Sequence, residues 1–233
     1  MTARILCAVL VLAACRTPID PVKTYDREMD AGSRAEALGD LPGAEEAYRR
    51  AHANAELGHL SDEQALASLR ALARVLRRRG QADEAAVTVA RAEALCDTAH
   101  RDAYQCGLVK RDVCKLEEAE ALLREAIEIQ TRTRTGTRAE LSGRQCELAH
   151  LRFERGRFED ARPSFERCIE LLQEFDAEHA YPEEYLYLLG EYAQVLRATG
   201  RRPAAEAIDA RAAAIRARGI TPKSAWQHPR CPA

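Results

Sequence analysis

Gly39-Asp40-Leu41-Pro42-Gly43-Ala44, continuing as Glu45-Glu46-Ala47-Tyr48-Arg49-Arg50-Ala51, reads as a glycine, a short bend and a helix with small and aromatic residues at helical spacing. That is the pattern of two short antiparallel helices joined and closely packed. It recurs. The first unit has Gly32 ahead of the bend and Ala44, Tyr48 and Ala51 after it; the second has Leu69, Leu72, Ala73 and Leu76, then Gly80, then Ala85, Val89 and Ala92. In the third, Gly107 precedes Cys114, which stands where the bend glycine should be, and Leu116, Ala119, Leu123 and Ala126 follow. A fourth runs through Leu148, Ala149, Gly156, Phe158, Ala161, Phe165 and Cys168, and a fifth through Tyr192, Ala193, Leu196, Gly200, Ala205 and Ala212. The bends at Gly39, Gly80, Cys114, Gly156 and Gly200 lie 41, 34, 42 and 44 residues apart.

A period near 34 that lengthens into the low forties resembles the tetratricopeptide repeat, including the longer variety found in kinesin light chains. The resemblance covers residues 25–217, in units of about 25–58, 61–99, 100–133, 142–175 and 183–217. It implies an all-α, right-handed superhelix of about five helix-turn-helix repeats. No unit can bury its apolar stripe alone, so neighbours must stack. Ser61 with Gln64 forms a capping box before the second unit, and Pro42, Pro182 and Pro203 suit first turns of helices. Cys114, Pro163 within a helix and Asp209 at an apolar position depart from the pattern. Asp209 is expected to mark a solvent-facing terminal cap. Residues 218–233, with Pro222, Trp226, Pro229 and Pro232, form an irregular tail expected to fold back on the last unit.

Composition agrees with helix: 46% of residues are apolar and only 5% aromatic, and β-branched alternation is scarce. A net charge of −2 provides no basic field for nucleic acid.

The chain opens Met1-Thr2-Ala3-Arg4, then runs apolar from Ile5 to Ala14. Ten residues are too few to span a hydrocarbon core of about 30 Å, so 1–14 reads as a signal peptide. Leu12-Ala13-Ala14-Cys15 resembles the lipobox of bacterial lipoproteins, which implies a diacylated Cys15 at the mature N-terminus and anchoring by two or more acyl chains. Arg16 in place of Asp favours the periplasmic face of an outer membrane. Residues 15–24 then read as the lipidated cysteine and an extended tether.

Six further cysteines remain after export: Cys96, Cys106, Cys114, Cys146, Cys168 and Cys231. Sequence alone allows 15 pairings. The repeat resemblance permits Cys96 with Cys106 and Cys146 with Cys168, each pair in antiparallel helices. It separates Cys106 from Cys114 by about 12 Å of helix, beyond disulfide reach. Disulfides suit an oxidising compartment. Cys96/His100 and Cys146/His150 are each four apart, and two such pairs are a rival zinc or redox-sensing set.

Arg70, Arg74, Arg77 and Arg78 lie off the buried face of the second unit's first helix. In tetratricopeptide arrays that side lines the concave groove, and Arg101, Tyr104 and Arg111 would continue the stripe. Arginine forks favour an acidic protein segment or a C-terminal carboxylate. Chaperone-binding members hold a terminal carboxylate over three units; Arg70 and Arg74 resemble the first part of that clamp, but Gly143 and Glu147 stand where the third part should be basic.

Phosphate loops, Gly-x-Ser-x-Gly, His-Glu-x-x-His and Cys-x-x-Cys are all missing from the chain. The expectation is a non-enzymatic protein-interaction scaffold at the envelope, with a protein or peptide partner, no catalytic residue, no metal, no cofactor and no nucleic acid. Its plan is similar to that of repeat lipoproteins in outer-membrane barrel assembly and type IV pilus biogenesis.

Overall fold

The computed structural model describes residues 20–97, 102–223 and 231. Five helical hairpins follow one another: α1 (Pro21–Ala37) with α2 (Leu41–Leu57), α3 (Asp62–Arg78) with α4 (Ala82–Cys96), α5 (Ala103–Asp112) with α6 (Leu116–Thr133), α7 (Arg138–Glu154) with α8 (Phe158–Gln173), and α10 (Pro182–Ala198) with α11 (Arg202–Arg216). A single turn, α9 (Ala177–Ala180), joins the last two hairpins. The two helices of each hairpin pack on each other, and successive hairpins meet through α2 on α3, α4 on α5, α6 on α7 and α8 on α10. The core is accordingly a string of clusters: Tyr25 with Ala51 and Ala55; Tyr48 with Leu72, Val75 and Leu76; Leu66 and Leu69 with Val109; Leu108 and Leu123 with Leu148 and Leu151; and Phe165 with Leu186, Leu189 and Leu196. Most clusters draw residues from two adjacent hairpins, which is why no hairpin is a domain by itself.

All five bends use one geometry. Gly39, Gly80, Gly156 and Gly200 have φ between 69° and 79°, and Cys114 takes the same left-handed turn at φ 61°. At Cys114 the pair of closing hydrogen bonds, Cys114 N–H to Arg111 O at 2.9 Å and Lys115 N–H to Lys110 O at 2.9 Å, matches the pair at Gly39 and Asp40. This is the Schellman arrangement, and it favours glycine because a Cβ is strained there. The third bend accepts that strain and gains a cysteine.

Gly32 meets a different constraint. A Cβ on it would lie 2.5 Å from Tyr48 Cε1, so α1 and α2 approach only because position 32 has no side chain. Gly32→Ala should cost about 1–3 kcal/mol of stability through overpacking, even though alanine suits a helix better. Urea denaturation would measure this, with Tyr48→Leu in the same chain restoring most of the loss. An alanine variant more stable than the parent would mean that the ring yields freely.

One expectation is corrected. The tether was placed at residues 15–24, but α1 already begins at Pro21: Asp20 Oδ1 accepts from the Val22 and Lys23 N–H groups at 3.0 and 3.3 Å, and Pro21 sits where no N–H is needed. Pro163 does not interrupt its helix; α8 continues through it to Gln173. Asp209 pairs with Arg197, and α11 buries only Ala205, Ala212 and Ile215, leaving its outer face to solvent as a terminal unit requires. In the tail, the Lys223 N–H donates to Glu183 O at 3.1 Å, against the last hairpin. The signal segment, Cys15, His100, Arg101, Trp226 and His228 lie outside the described residues. Among the described residues, no helix is long and apolar enough to cross a membrane.

Candidate functional site: the groove along the first helices

The first helices of successive hairpins line a continuous groove. Its polar part, a cleft of about 440 Å³, is walled by Met29 and Ser33 of α1, Arg70 and Arg74 of α3, and Tyr104 and Gln105 of α5. Tyr104 and Glu147 also line the next compartment, about 340 Å³, which is mostly apolar: Leu172, Ala177, Tyr181, Tyr185 and Leu188, above Gly143 and Cys146 of α7. A Cβ added at Gly143 would meet nothing within 4 Å, so the glycine leaves a notch in the wall. Arg144 stacks its guanidinium 5.3 Å from the Tyr104 ring centre. Burial pushes the Tyr104 phenol well above its ordinary range.

The arginine stripe behaves differently from its sequence reading. Arg74 forks onto Glu36 of α1 at 3.0 and 2.7 Å, and Arg78 reaches the same carboxylate at 2.8 Å. Arg70 pairs with Asp112 at 3.1 Å. Arg111 is 1% exposed and donates to Glu147 at 2.7 Å and Glu154 at 2.5 Å. Arg77 faces away from the groove, into a depression with Ala82, Val89 and Glu93. Thus Arg70, Arg74 and Tyr104 reach the groove, but the guanidinium charge is neutralised by the protein's own carboxylates. The fork for an acidic ligand is already occupied.

These pairs follow a rule that sequence could have supplied. Arg49–Glu84, Arg79–Glu45, Arg91–Glu56, Arg111–Glu147, Arg155–Glu120 and Arg138–Glu174 span 34 to 36 residues, and Arg74–Glu36 spans 38. Most of these pairs join adjacent hairpins, which stacking brings side by side, while Arg138–Glu174 joins the start of α7 to the end of α8 within the fourth hairpin. Opposite charges 34 to 38 residues apart are the sequence signal for them.

Behind the groove, Arg111, Glu147 and Glu154 continue into His150, which meets Glu191 of α10 at 2.8 Å and Glu154 at 3.3 Å. Burial opposes the charged imidazole, but hydrogen bonds to Glu154 and Glu191 overcome it and raise the His150 pKa above 6.5. Burial likewise opposes the Glu154 carboxylate, yet His150 and Arg111 pull it down to about 2. The signs differ. His150 stabilises fully below pH 6.5 and loses its contribution as pH rises through its elevated folded value; Glu154 contributes above pH 4.5 and loses it as pH falls toward 2. His52, buried with its pKa lowered by desolvation, has the opposite slope from His150. Stability measured in denaturant from pH 5 to 8 should therefore lose its alkaline decline in His150→Gln, and a wild-type decline retained in that variant would place the effect elsewhere.

The six cysteines lie as three bonded pairs: Cys96–Cys106, Cys146–Cys168 and Cys114–Cys231, with Cα separations of 5.5, 5.0 and 5.4 Å. The third joins the tail to the bend between α5 and α6, with Cys231 Sγ 3.8 Å from Arg111 O. The rival metal set is dispersed: Cys146 is bonded to Cys168 and His150 to carboxylates, and among the described residues no group of three His, Cys, Asp or Glu is arranged to hold a metal ion.

Residues 101–174 match the Tetratricopeptide repeat family. Among solved structures, BtubC (BKLC) from P. vanneervenii superposes with a TM-score of 0.61 at 22% identity, over 92% of this chain and 88% of its own. A Podosopora anserina protein with nearly identical TPR-like repeats of the kinesin light chain type superposes with a TM-score of 0.57 at 21% identity, over 85% of this chain and 97% of its own. No curated protein matches. Likeness at these identities establishes the superhelical repeat fold.

Proposed function

We propose that this tetratricopeptide-repeat chain is a scaffold that holds another protein along its groove while a lipid on Cys15 holds it to a bacterial envelope. Tetratricopeptide repeats bind protein partners, and the observation that carries the reading here is the continuous groove across α1, α3, α5, α7 and α10, lined by exposed and half-buried aromatic and polar side chains. Three cysteine pairs support an oxidising compartment, which agrees with an export signal ahead of residue 15. The outer-membrane periplasmic face is the location that Arg16 favours.

Two measurements test the two halves. Mass spectrometry of the chain recovered from bacterial membranes should find an acylated Cys15 at the N-terminus, absent in Cys15→Ser; a mature chain beginning elsewhere overturns the anchor. A photo-crosslinking side chain at Tyr104 should capture a protein that the same group at Val87, 70% exposed on α4, does not. Equal capture at both positions removes the groove from the function.

A further inference from the structure

The groove is chemically asymmetric, and resting on the reading of it as the binding surface, the asymmetry names the class of partner. Along the middle of the groove every arginine that reaches it is matched by a carboxylate, as described above. Along the rim formed by the N-terminal turns of the first helices the balance is reversed. Glu63 in the first turn of α3, Asp102 at the N-cap of α5, Glu140 in the first turn of α7 and Glu184 in the first turn of α10 place one carboxylate per hairpin on one edge. Asp102 and Glu140 accept from backbone N–H groups of their own turns, and among the described residues none of the four has a lysine or arginine within ion-pair distance.

First-turn carboxylates are common for a local reason, since the helix N-terminus attracts them. Partial desolvation, followed by the charges of Asp102 and Glu140, raises the Glu63 carboxyl against the counterweight of Arg144. Carboxylates of successive hairpins are thus near enough to repel one another, and among the described residues no lysine or arginine forms an ion pair with this rim. Glu184 belongs both to this rim and to the apolar compartment with Tyr181, Tyr185, Leu172 and Leu188.

We infer that the apolar compartment at Gly143 receives one large aliphatic or aromatic side chain of a partner segment, and that the rim carboxylates pair with lysine or arginine flanking that side chain. The partner is therefore cationic and apolar, the reverse of the acidic ligand that the arginine stripe suggests. The volume of about 340 Å³ is ample for one or two such side chains, and charge complementarity selects their neighbours. The association should weaken steeply with salt, because the rim is solvent-exposed.

The test uses the full chain with Cys15→Ser and its disulfides intact, and two fluorescein-labelled peptides, Gly-Lys-Lys-Leu-Phe-Lys-Lys-Gly and Gly-Glu-Glu-Leu-Phe-Glu-Glu-Gly. Fluorescence anisotropy at low salt should show the lysine peptide binding at least tenfold more tightly. Gly143→Leu, whose Cβ meets nothing within 4 Å, should weaken it at least tenfold, and Glu184→Gln about threefold, with thermal melts showing both variants folded. Preference for the glutamate peptide, or absence of binding by either, overturns the inference, while Tyr104 crosslinking judges the groove itself. Lysine-peptide binding indifferent to Gly143→Leu also overturns it. Two other occupants are separable outcomes that overturn it as well: self-association abolished by Gly143→Leu assigns the compartment to a second copy, and binding that appears only in Trp226→Ala assigns it to the chain's own C-terminal segment.

Discussion

Arg111→Met lowers the unfolding free energy by about 3–5 kcal/mol, the usual consequence of removing one member of a buried ionic group. Arg111 is among the largest fully buried side chains of the described residues, enclosed between α5 and α7 with its guanidinium on Glu147 and Glu154. Methionine fills much of the volume but takes the guanidinium from Glu147, 13% exposed, and from the outer carboxylate Glu154, 39% exposed. Glu154, which owes part of its low pKa to Arg111, should take up a proton closer to pH 4.5, so the loss is largest near neutral pH and shrinks in acid. The substitution also acts at the seam between the third and fourth hairpins. Stability in a stacked array is a sum of units and their interfaces, so the denaturation curve should broaden or split, with the N-terminal and C-terminal hairpins unfolding apart. Combining Arg111→Met with Glu147→Gln and Glu154→Gln should recover at least half of the loss. If the single substitution is nearly neutral, the network is solvated and its charges are worth little.

Opening the Cys114–Cys231 bond has a comparable effect for a different reason. The two cysteines are 117 residues apart, and closing a loop of about that length restricts the unfolded chain by about 3–5 kcal/mol. Cys231→Ser should lose this amount. Cys114→Gly loses the same bond, but it also restores glycine to a left-handed bend at φ 61°, worth about 1 kcal/mol. Cys114→Gly should therefore be the more stable of the two, and guanidinium titrations of both would show it. Equal stabilities would mean that the cysteine backbone at the bend is unstrained. The parent chain should contain no free thiol among these six cysteines when denatured under non-reducing conditions.

Local features of the fold are legible in the sequence. Glycine bends, small residues opposite Tyr48 and Leu123, and the Ser61–Gln64 capping box are short-range signals, and each depends on residues within one hairpin. Two cysteine pairs are also local, Cys146–Cys168 within one hairpin and Cys96–Cys106 between consecutive helices, at separations of 22 and 10 residues. The helix α1 starts inside the stretch read as a tether because Asp20 and Pro21 together cap a helix. The arginine stripe was the larger error. Arg70, Arg74, Arg78 and Arg111 look unopposed in sequence because Asp112, Glu36, Glu147 and Glu154 reach them only from neighbouring hairpins.

Sequence by itself determined the helical hairpin, its repetition and the strained bend at Cys114, since these follow from steric and packing rules acting over one period. Only the tertiary structure decided the electrostatic character of the groove and the partner of Cys114. Stacking brings charges from one period away to within 3 Å of each other, cancels the basic stripe, and leaves the carboxylate rim as the unneutralised edge. The potential a ligand meets is a property of the stacked array, not of any helix in it.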